Sequence, residues 1–359
     1  MAEAIPSKQE FASKLVQEIV KRGDEVPNVY LQKDDIPQVT EDEPDNLWTQ
    51  TLLIDFALLS SPTTSVVELA KLRSALSDWG CFQVINHGIE SSFLEEIIEV
   101  SKQFFALPLE EKLKCSLGGD YFQGYGNPSV YGDNLSGNWN DRLYLSIHPE
   151  ESRNLLFWPE NPHNFRKMVD EYSKKVRWLN EVILKAMAKS LDLPEDCFVN
   201  FQGEKMNTLG AFIMYPPCSC SERVLGVKPH TDGGTITILL ADKNVQGLQV
   251  ENNGRWFNVR VIPDTLFINL GDLGEVMTNG VFKSALHRVV TNSVKDRVSV
   301  VAFCSPETEK EIEPVSDMIS TNRPQMYNKF SIPEYRQIYF ENFKAGRRTI
   351  DAFKIHKGC

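Results

Sequence analysis

From Thr208 onward the apolar residues of this chain change their spacing, and that change limits the fold more than any other feature. Apolar and polar residues there tend to alternate, and a period of two is the mark of a strand with two different faces. The segments 208–215, 224–230, 235–240, 247–251, 255–261, 265–270, 286–291 and 297–304 read as short strands. Turn-forming residues separate them, at Gly233-Gly234, Asn252-Asn253-Gly254, Gly271-Asp272 and Asn279-Gly280. Roughly eight short strands at such close spacing must close into a sandwich or barrel. We therefore expect a mainly β core with flanking helices: a double-stranded β-helix (jelly roll, cupin-like) with a helical N-terminal region.

The preceding half supplies the helices. Phe11 to Lys21 has helical spacing, and Pro27, Pro37 and Pro44 then break it into extended chain packed on the main body. Thr51 to Asp55 reads as a strand. Ser65 with Glu68 forms a capping box before the next helix. Trp79 to Gly88 is a strand ending in a turn, Glu90 to Ala106 a helix, and Trp139 to His148 another strand. Phe165 to Leu191 is the longest helical pattern, with Val169, Tyr172, Val176, Leu179, Ile183 and Met187 on one side. Leu117 to Ser136, rich in Gly and Tyr, reads as a mobile loop or as a lid with aromatic contacts. Residues 331–356 end the chain with helical spacing. The expected organisation is an N-terminal extension (1–50), a helical region with the long supporting helix (51–205), a jelly-roll core (206–310) and a C-terminal helical segment that packs on the core or covers its pocket (311–359).

Two potential metal ligands, His230 and Asp232, flank Thr231. In a strand they share a face and both reach one ion. His287, at the start of a later strand, is the best third ligand. Two histidines and one carboxylate form the facial triad that leaves positions open on non-haem iron, although the H-x-D tripeptide alone is weak evidence. In the strand 297–303, Arg297 and Ser299 point the same way. A buried Arg demands an anion, and Arg binds carboxylates bidentately. For Arg297 taken alone, a core ion pair, for example with Asp272, is the preferred reading; beside the triad, an anionic co-substrate is the better explanation.

Several classes are disfavoured. A net charge of −11 argues against nucleic acid and anionic membranes. The seven cysteines are odd in number and scattered, which suits reduced thiols in a cytoplasmic protein. The chain shows no apolar run long enough to span a membrane and no signal peptide is read at its start. A monomer is the default expectation.

The motifs Trp79 to Gly88, Tyr215-Pro216-Pro217-Cys218, His230-Thr231-Asp232, Gly247-Leu248-Gln249, Asn269-Leu270-Gly271-Asp272, His287-Arg288-Val289 and Arg297-Val298-Ser299 occur in this order. In them the chain resembles plant 2-oxoglutarate- and Fe(II)-dependent oxygenases, from about residue 50 onward. It is most similar to the branch of norcoclaurine-synthase-like and thebaine or codeine demethylase-like proteins. The resemblance implies Fe(II) on His230, Asp232 and His287. It implies 2-oxoglutarate held by Arg297, Ser299 and Tyr215, with O2 as oxidant, ascorbate as reductant, and succinate and CO2 as products. It also implies a substrate pocket drawn from Arg142, Tyr144, Ala211, Ile213, Gly233, Phe303 and Ser305, with Tyr121 and Tyr131. An ion pair of Arg142 with Asp141, and Phe303 as plain core, are the alternatives for those two residues.

The family pattern Arg-x-Asn-x-Tyr-Pro-Pro-Cys departs here: Ala211 replaces the basic residue and Ile213 the Asn. No metal ligand is lost, while one wall of the pocket loses a charge and a polar contact. Both changes favour a bulky, largely apolar aromatic small molecule, hydroxylated or O-demethylated. A non-catalytic ligand sensor and a zinc hydrolase are the competing classes. The intact five-residue set disfavours the first, and Arg297 beside the metal disfavours the second.

Overall fold

A computed structural model describes residues 13–40, 47–61, 66–116, 123–127, 129 and 137–355. Its strands are β1 (Leu53–Asp55), β2 (Cys81–Ile85), β3 (Gly124–Gly126), β4 (Asp141–His148), β5 (Asn207–Tyr215), β6 (Leu225–His230), β7 (Ile236–Ala241), β8 (Leu248–Asn252), β9 (Arg255–Asn258), β10 (Leu266–Leu270), β11 (His287–Val290) and β12 (Arg297–Ser305), with short β13 (Glu311–Ile312) and β14 (Phe330–Ser331) after them. The major sheet runs β1-β2-β10-β7-β12-β5-β4-β3, and a smaller one runs β6-β11-β8-β9. The two sheets are the walls of a jelly roll, so the expected fold class holds.

Register decides which residues face the interior. Ile213 on β5 lies opposite Arg142 on β4 and Ser299 on β12; Ala211 lies opposite Tyr144 and Val301. Side chains directly opposite one another in an antiparallel pair point the same way. The other face of the same strands carries Leu143, Phe212 and Val300, all fully buried under helices. Each such side chain contributes about 1.5–3 kcal/mol by burial.

The helix Phe165–Ser190 covers that outer face, with Val169, Tyr172, Val176, Leu179, Ile183 and Met187 all at zero exposure, as the spacing predicts. Phe165 at its start meets Phe212 of β5 with ring centroids 5.1 Å apart. The helix Ser91–Ala106 packs beside it against β12 and β5. At the other end of the chain, Ser331 caps the helix Ile332–Lys344: its hydroxyl accepts from the Glu334 N–H, and the Glu334 carboxylate accepts from the Ser331 N–H in return. This helix stops at Lys344 and a separate 3-10 turn spans Thr349–Phe353, so the helical spacing of 331–356 resolves into two elements.

One local expectation needs correction. Within the Gly- and Tyr-rich stretch, Gly124–Gly126 is a strand paired with β4, and Tyr125 is fully buried against Phe104 and Phe105. That segment is core, not lid, because its aromatic side chain finds a closed apolar niche. Tyr121 and Tyr131 lie outside the described residues. Ser65 of the expected capping box does too; its partner Glu68 accepts the backbone N–H of Asp55 at 2.7 Å.

Candidate active site

The three side chains that could hold a metal ion come from three places. His230 ends β6, and His287 opens β11 directly opposite it. Their ring centroids are 4.2 Å apart. Asp232 does not share a strand with His230: β6 ends at His230, and Asp232 follows in the loop. Its approach to the histidines is therefore set by tertiary bonds and not by strand periodicity. Asp232 Oδ2 accepts from Thr237 Oγ1 at 2.6 Å and from Asn269 Nδ2 at 2.8 Å. That leaves Oδ1 facing the imidazoles, 3.5 Å from His230 Nε2 and 3.7 Å from His287 Nε2. Thr237 on β7 and Asn269 on β10 face inward opposite each other. Sequence reasoning gave neither a role at the metal, although Asn269 stood in a quoted motif.

The histidine tautomers suit a metal. His230 Nδ1 bonds the Lys228 carbonyl at 2.7 Å, and His287 Nδ1 bonds the Ala285 carbonyl at 3.0 Å. With each Nδ1–H donating, each Nε2 keeps its lone pair for an ion. Burial and the adjacent His230 push the His287 imidazole down to about 4. Burial opposes ionisation of Asp232, but His287, His230 and the Asn269 amide outweigh it and hold its carboxyl well below the usual carboxylate range. Two neutral imidazoles and one carboxylate are the donor set of a divalent cation with open positions.

The anion pocket is equally specific. Arg297 and Ser299 are buried on β12, with Tyr215 opposite Arg297 and its ring 5.0 Å from the guanidinium carbon. Among the described residues, Arg297 Nε and Nη1 and Ser299 Oγ have no hydrogen-bond partner. Asp272 is not the counterion: its carboxylate accepts from Ser284 and Tyr335, each at 2.7–2.8 Å. Buried unpaired donors are rare and mark a site for a ligand. Gly247 makes room for this Arg, since a Cβ there would come within 3.2 Å of Arg297 Cδ and 3.1 Å of the Val290 carbonyl. A carboxylate fits the orphaned donors, and a divalent cation fits the His/Asp/His donors.

The remaining pocket residues divide clearly. Arg142, Tyr144, Ala211, Ile213 and Phe303 share the inner face of β4, β5 and β12. Arg142 makes no ion pair with Asp141, which instead accepts the backbone N–H groups of Val16 and Gln17, both at 2.8 Å. Ser305 ends β12, and its Oγ lies close to Gly234. Gly233 lies against the C-terminal helix, where a Cβ would sit 3.1 Å from the Tyr335 ring. That helix covers the metal site: Tyr339 donates to the Thr231 carbonyl at 3.0 Å, and the Phe343 ring packs edge-on to His230 at 5.3 Å. The sequence offered covering the pocket as one of two roles for this segment, without singling out Tyr339 and Phe343 as the residues that make these contacts. A separate cavity of about 490 Å³ opens beyond Arg297 at the far side of the barrel, lined by Leu239, Phe267 and Lys102 among others, and none of the three metal-ligating residues lines it.

A jelly roll with this facial triad and a buried anion pocket defines a non-haem, metal-dependent oxygenase. The chain matches the 2OG-Fe(II) oxygenase superfamily over residues 194–306, and the N-terminal region of non-haem dioxygenases in morphine synthesis over residues 53–161. It is 37% identical to the Lateral Branching Oxidoreductase 1 protein of Arabidopsis thaliana, over 95% of each chain. It is 34% identical to codeine O-demethylase of Papaver somniferum, over 98% of this chain and 96% of that protein. A crystal structure of JOX2 in complex with 2OG, Fe and JA superposes with a TM-score of 0.84 at 28% identity, over 95% of this chain and 98% of that one. The chain belongs to the 2OG-Fe(II) oxygenase superfamily, and is a 2-oxoglutarate-dependent dioxygenase using Fe(II) and O2. Among the described residues no helix is long and apolar enough to cross a membrane.

Proposed function

We propose that the protein hydroxylates or O-demethylates a small, largely apolar aromatic plant metabolite. The observation that carries this reading is the orphaned Arg297–Ser299 pair inside the barrel that also holds the His/Asp/His set. His230 Nε2, Asp232 Oδ1 and His287 Nε2 would hold Fe(II), and Arg297, Ser299 and Tyr215 the distal carboxylate of 2-oxoglutarate. Fe(II) bound there supplies the redox chemistry by which O2 oxidises 2-oxoglutarate to succinate and CO2 and one oxygen atom reaches a substrate C–H bond.

The chain's own residues do the positioning. Thr237 and Asn269 fix the Asp232 carboxylate, and the Lys228 and Ala285 carbonyls fix the imidazoles. Tyr339 and Phe343 close the mouth and exclude water. Ala211, Val301 and Phe303 would give the substrate an apolar wall. Where the attacked carbon is a methoxy methyl, hydroxylation gives a hemiacetal, which expels formaldehyde and leaves the phenol. Kinship with codeine O-demethylase and with a flavonoid 7-O-demethylase of Ocimum basilicum, 36% identical over 86% of this chain and 82% of that protein, supports that outcome.

The test is a mass-resolved screen of methoxylated and unmethoxylated aromatic metabolites with Fe(II) and 2-oxoglutarate. Gain of one oxygen marks hydroxylation, and loss of one CH2 marks demethylation. No product from any aromatic in either set would overturn the proposal.

A further inference from the structure

Arg142 is a cation on the pocket wall with no acid paired to it among the described residues. It is half-buried on β4 and lies opposite Ile213, whose other in-register neighbour is Ser299 of the co-substrate pocket. Adjacent strands are about 4.8 Å apart, so Arg142 and Ser299 stand two strand spacings from each other across one apolar residue. The Arg142 guanidinium lies over the Tyr144 ring, 4.0 Å from its centroid, and its Nη1 donates to the Tyr144 hydroxyl at 3.0 Å. This phenol is a neutral acceptor and occupies one edge of the fork. Among the described residues no carboxylate pairs with Arg142. The neighbouring acid, Asp141, sits on the opposite face of β4, where each of its carboxylate oxygens accepts a backbone N–H. Stacking on Tyr144 fixes the guanidinium plane before any ligand arrives, which lowers the ordering cost of binding.

Charge balance sharpens the point. With Fe(II) and 2-oxoglutarate in place, the two positive charges of the metal and the one of Arg297 match the Asp232 carboxylate and the two carboxylates of the co-substrate. The two histidines are neutral ligands. Among the described residues Arg142, half-buried beside the apolar side chains of Ala211, Val301 and Phe303, is then one positive charge in excess, and an uncompensated charge withdrawn from water is costly. One further anion balances it.

We propose that the substrate is an aromatic or otherwise apolar carboxylic acid, whose carboxylate is clasped by Arg142 while Tyr144 holds the guanidinium in place. The inference rests on the oxygenase reading of the same site and adds the charge of the substrate. The apolar body of the acid lies along Ala211, Val301 and Phe303, and the carboxylate sets which carbon faces the metal. Arg142 is thus a specificity-determining residue.

The test measures binding without turnover. The protein, loaded with Fe(II) and 2-oxoglutarate without oxygen, is titrated by calorimetry with a set of aromatic carboxylic acids, each paired with its methyl ester and primary amide. At least one acid is expected to bind, with its ester and amide weaker by about 10- to 100-fold, the range for removing one member of a partly desolvated charge pair. Arg142→Met should lose that preference for the acid. Arg142→Lys should restore part of it, since an ammonium keeps the charge but not the bidentate fork. The proposal is overturned if no acid binds wild type more tightly than its ester and amide, or if Arg142→Met binds the acid as well as wild type does. Binding of 2-oxoglutarate itself, measured first on the same samples, separates the two claims: its absence defeats the oxygenase reading, whereas its presence with no preference for acids defeats only this inference.

Discussion

The Tyr339 phenol donates to the Thr231 carbonyl at 3.0 Å, so the C-terminal helix is bonded to the residue between His230 and Asp232, two of the three proposed metal ligands. Phe343, one turn further, packs on His230. The helix that closes the mouth and the metal site are therefore one mechanical unit. Tyr339→Phe removes the bond and keeps the ring. A net loss of about 1 kcal/mol is expected, seen as roughly fivefold faster amide exchange within 332–344. Unchanged exchange there would mean that packing alone holds the helix.

Asp232 is aimed by Thr237 and Asn269. Thr237→Val and Asn269→Ala should each weaken Fe(II) binding by about 10- to 100-fold, as loss of an outer hydrogen bond to a ligand typically does. Asp232→Ala should abolish turnover. Metal titration under nitrogen checks the first pair, and equal affinity in all three proteins would remove their positioning role.

Arg297 lies buried with two unpaired N–H groups. A charge in that state destabilises the ligand-free protein. Arg297→Met should therefore melt no lower than wild type without co-substrate. Wild type should gain stability from 2-oxoglutarate by mass action, and the variant should gain little. A large loss of stability in the ligand-free variant would show an unrecognised structural partner.

Ile213 stands where the family pattern has Asn, between Arg142 and Ser299. Ile213→Asn should leave Fe(II) binding intact. One added hydrogen bond would change 2-oxoglutarate affinity, or its decarboxylation without substrate, by about 3- to 10-fold. No change in either places the side chain away from the co-substrate.

His287 carries a pH signature. Burial and the neighbouring His230 lower it to about 4, against 6.5 for an unhindered imidazole. Between these values the unfolded chain binds the proton and the folded chain does not. Stability of the metal-free protein should accordingly fall as pH drops from about 6.5 to 4, by about 3 kcal/mol at most from this group. Urea midpoints across that range check it, and His287→Ala should flatten the slope.

Much of this was legible in the residues, for local reasons. Period-two spacing and Gly/Asn turns are written in short windows, so 208–215, 265–270 and 297–304 fall within a residue of β5, β10 and β12. Arg297 and Ser299 share a face by the same rule. What was not legible depends on distant partners. Asp232 lies beyond its strand, and only Thr237 and Asn269 turn it to the metal. Tyr125 looked like a loop aromatic until β4 and the Phe104–Phe105 pair enclosed it. The apolar stripe of Ile332–Lys344 announced burial but not that the buried face meets His230.

The most direct measurement is succinate formation from 2-oxoglutarate under air, with wild type and Arg297→Met, each loaded with Fe(II) or Zn(II). Succinate should form with wild type and Fe(II), rise with substrate, fall sharply in Arg297→Met, and be absent with Zn(II). Wild-type protein that binds Fe(II) yet neither binds nor consumes 2-oxoglutarate would contradict the roles given to Arg297 and Ser299.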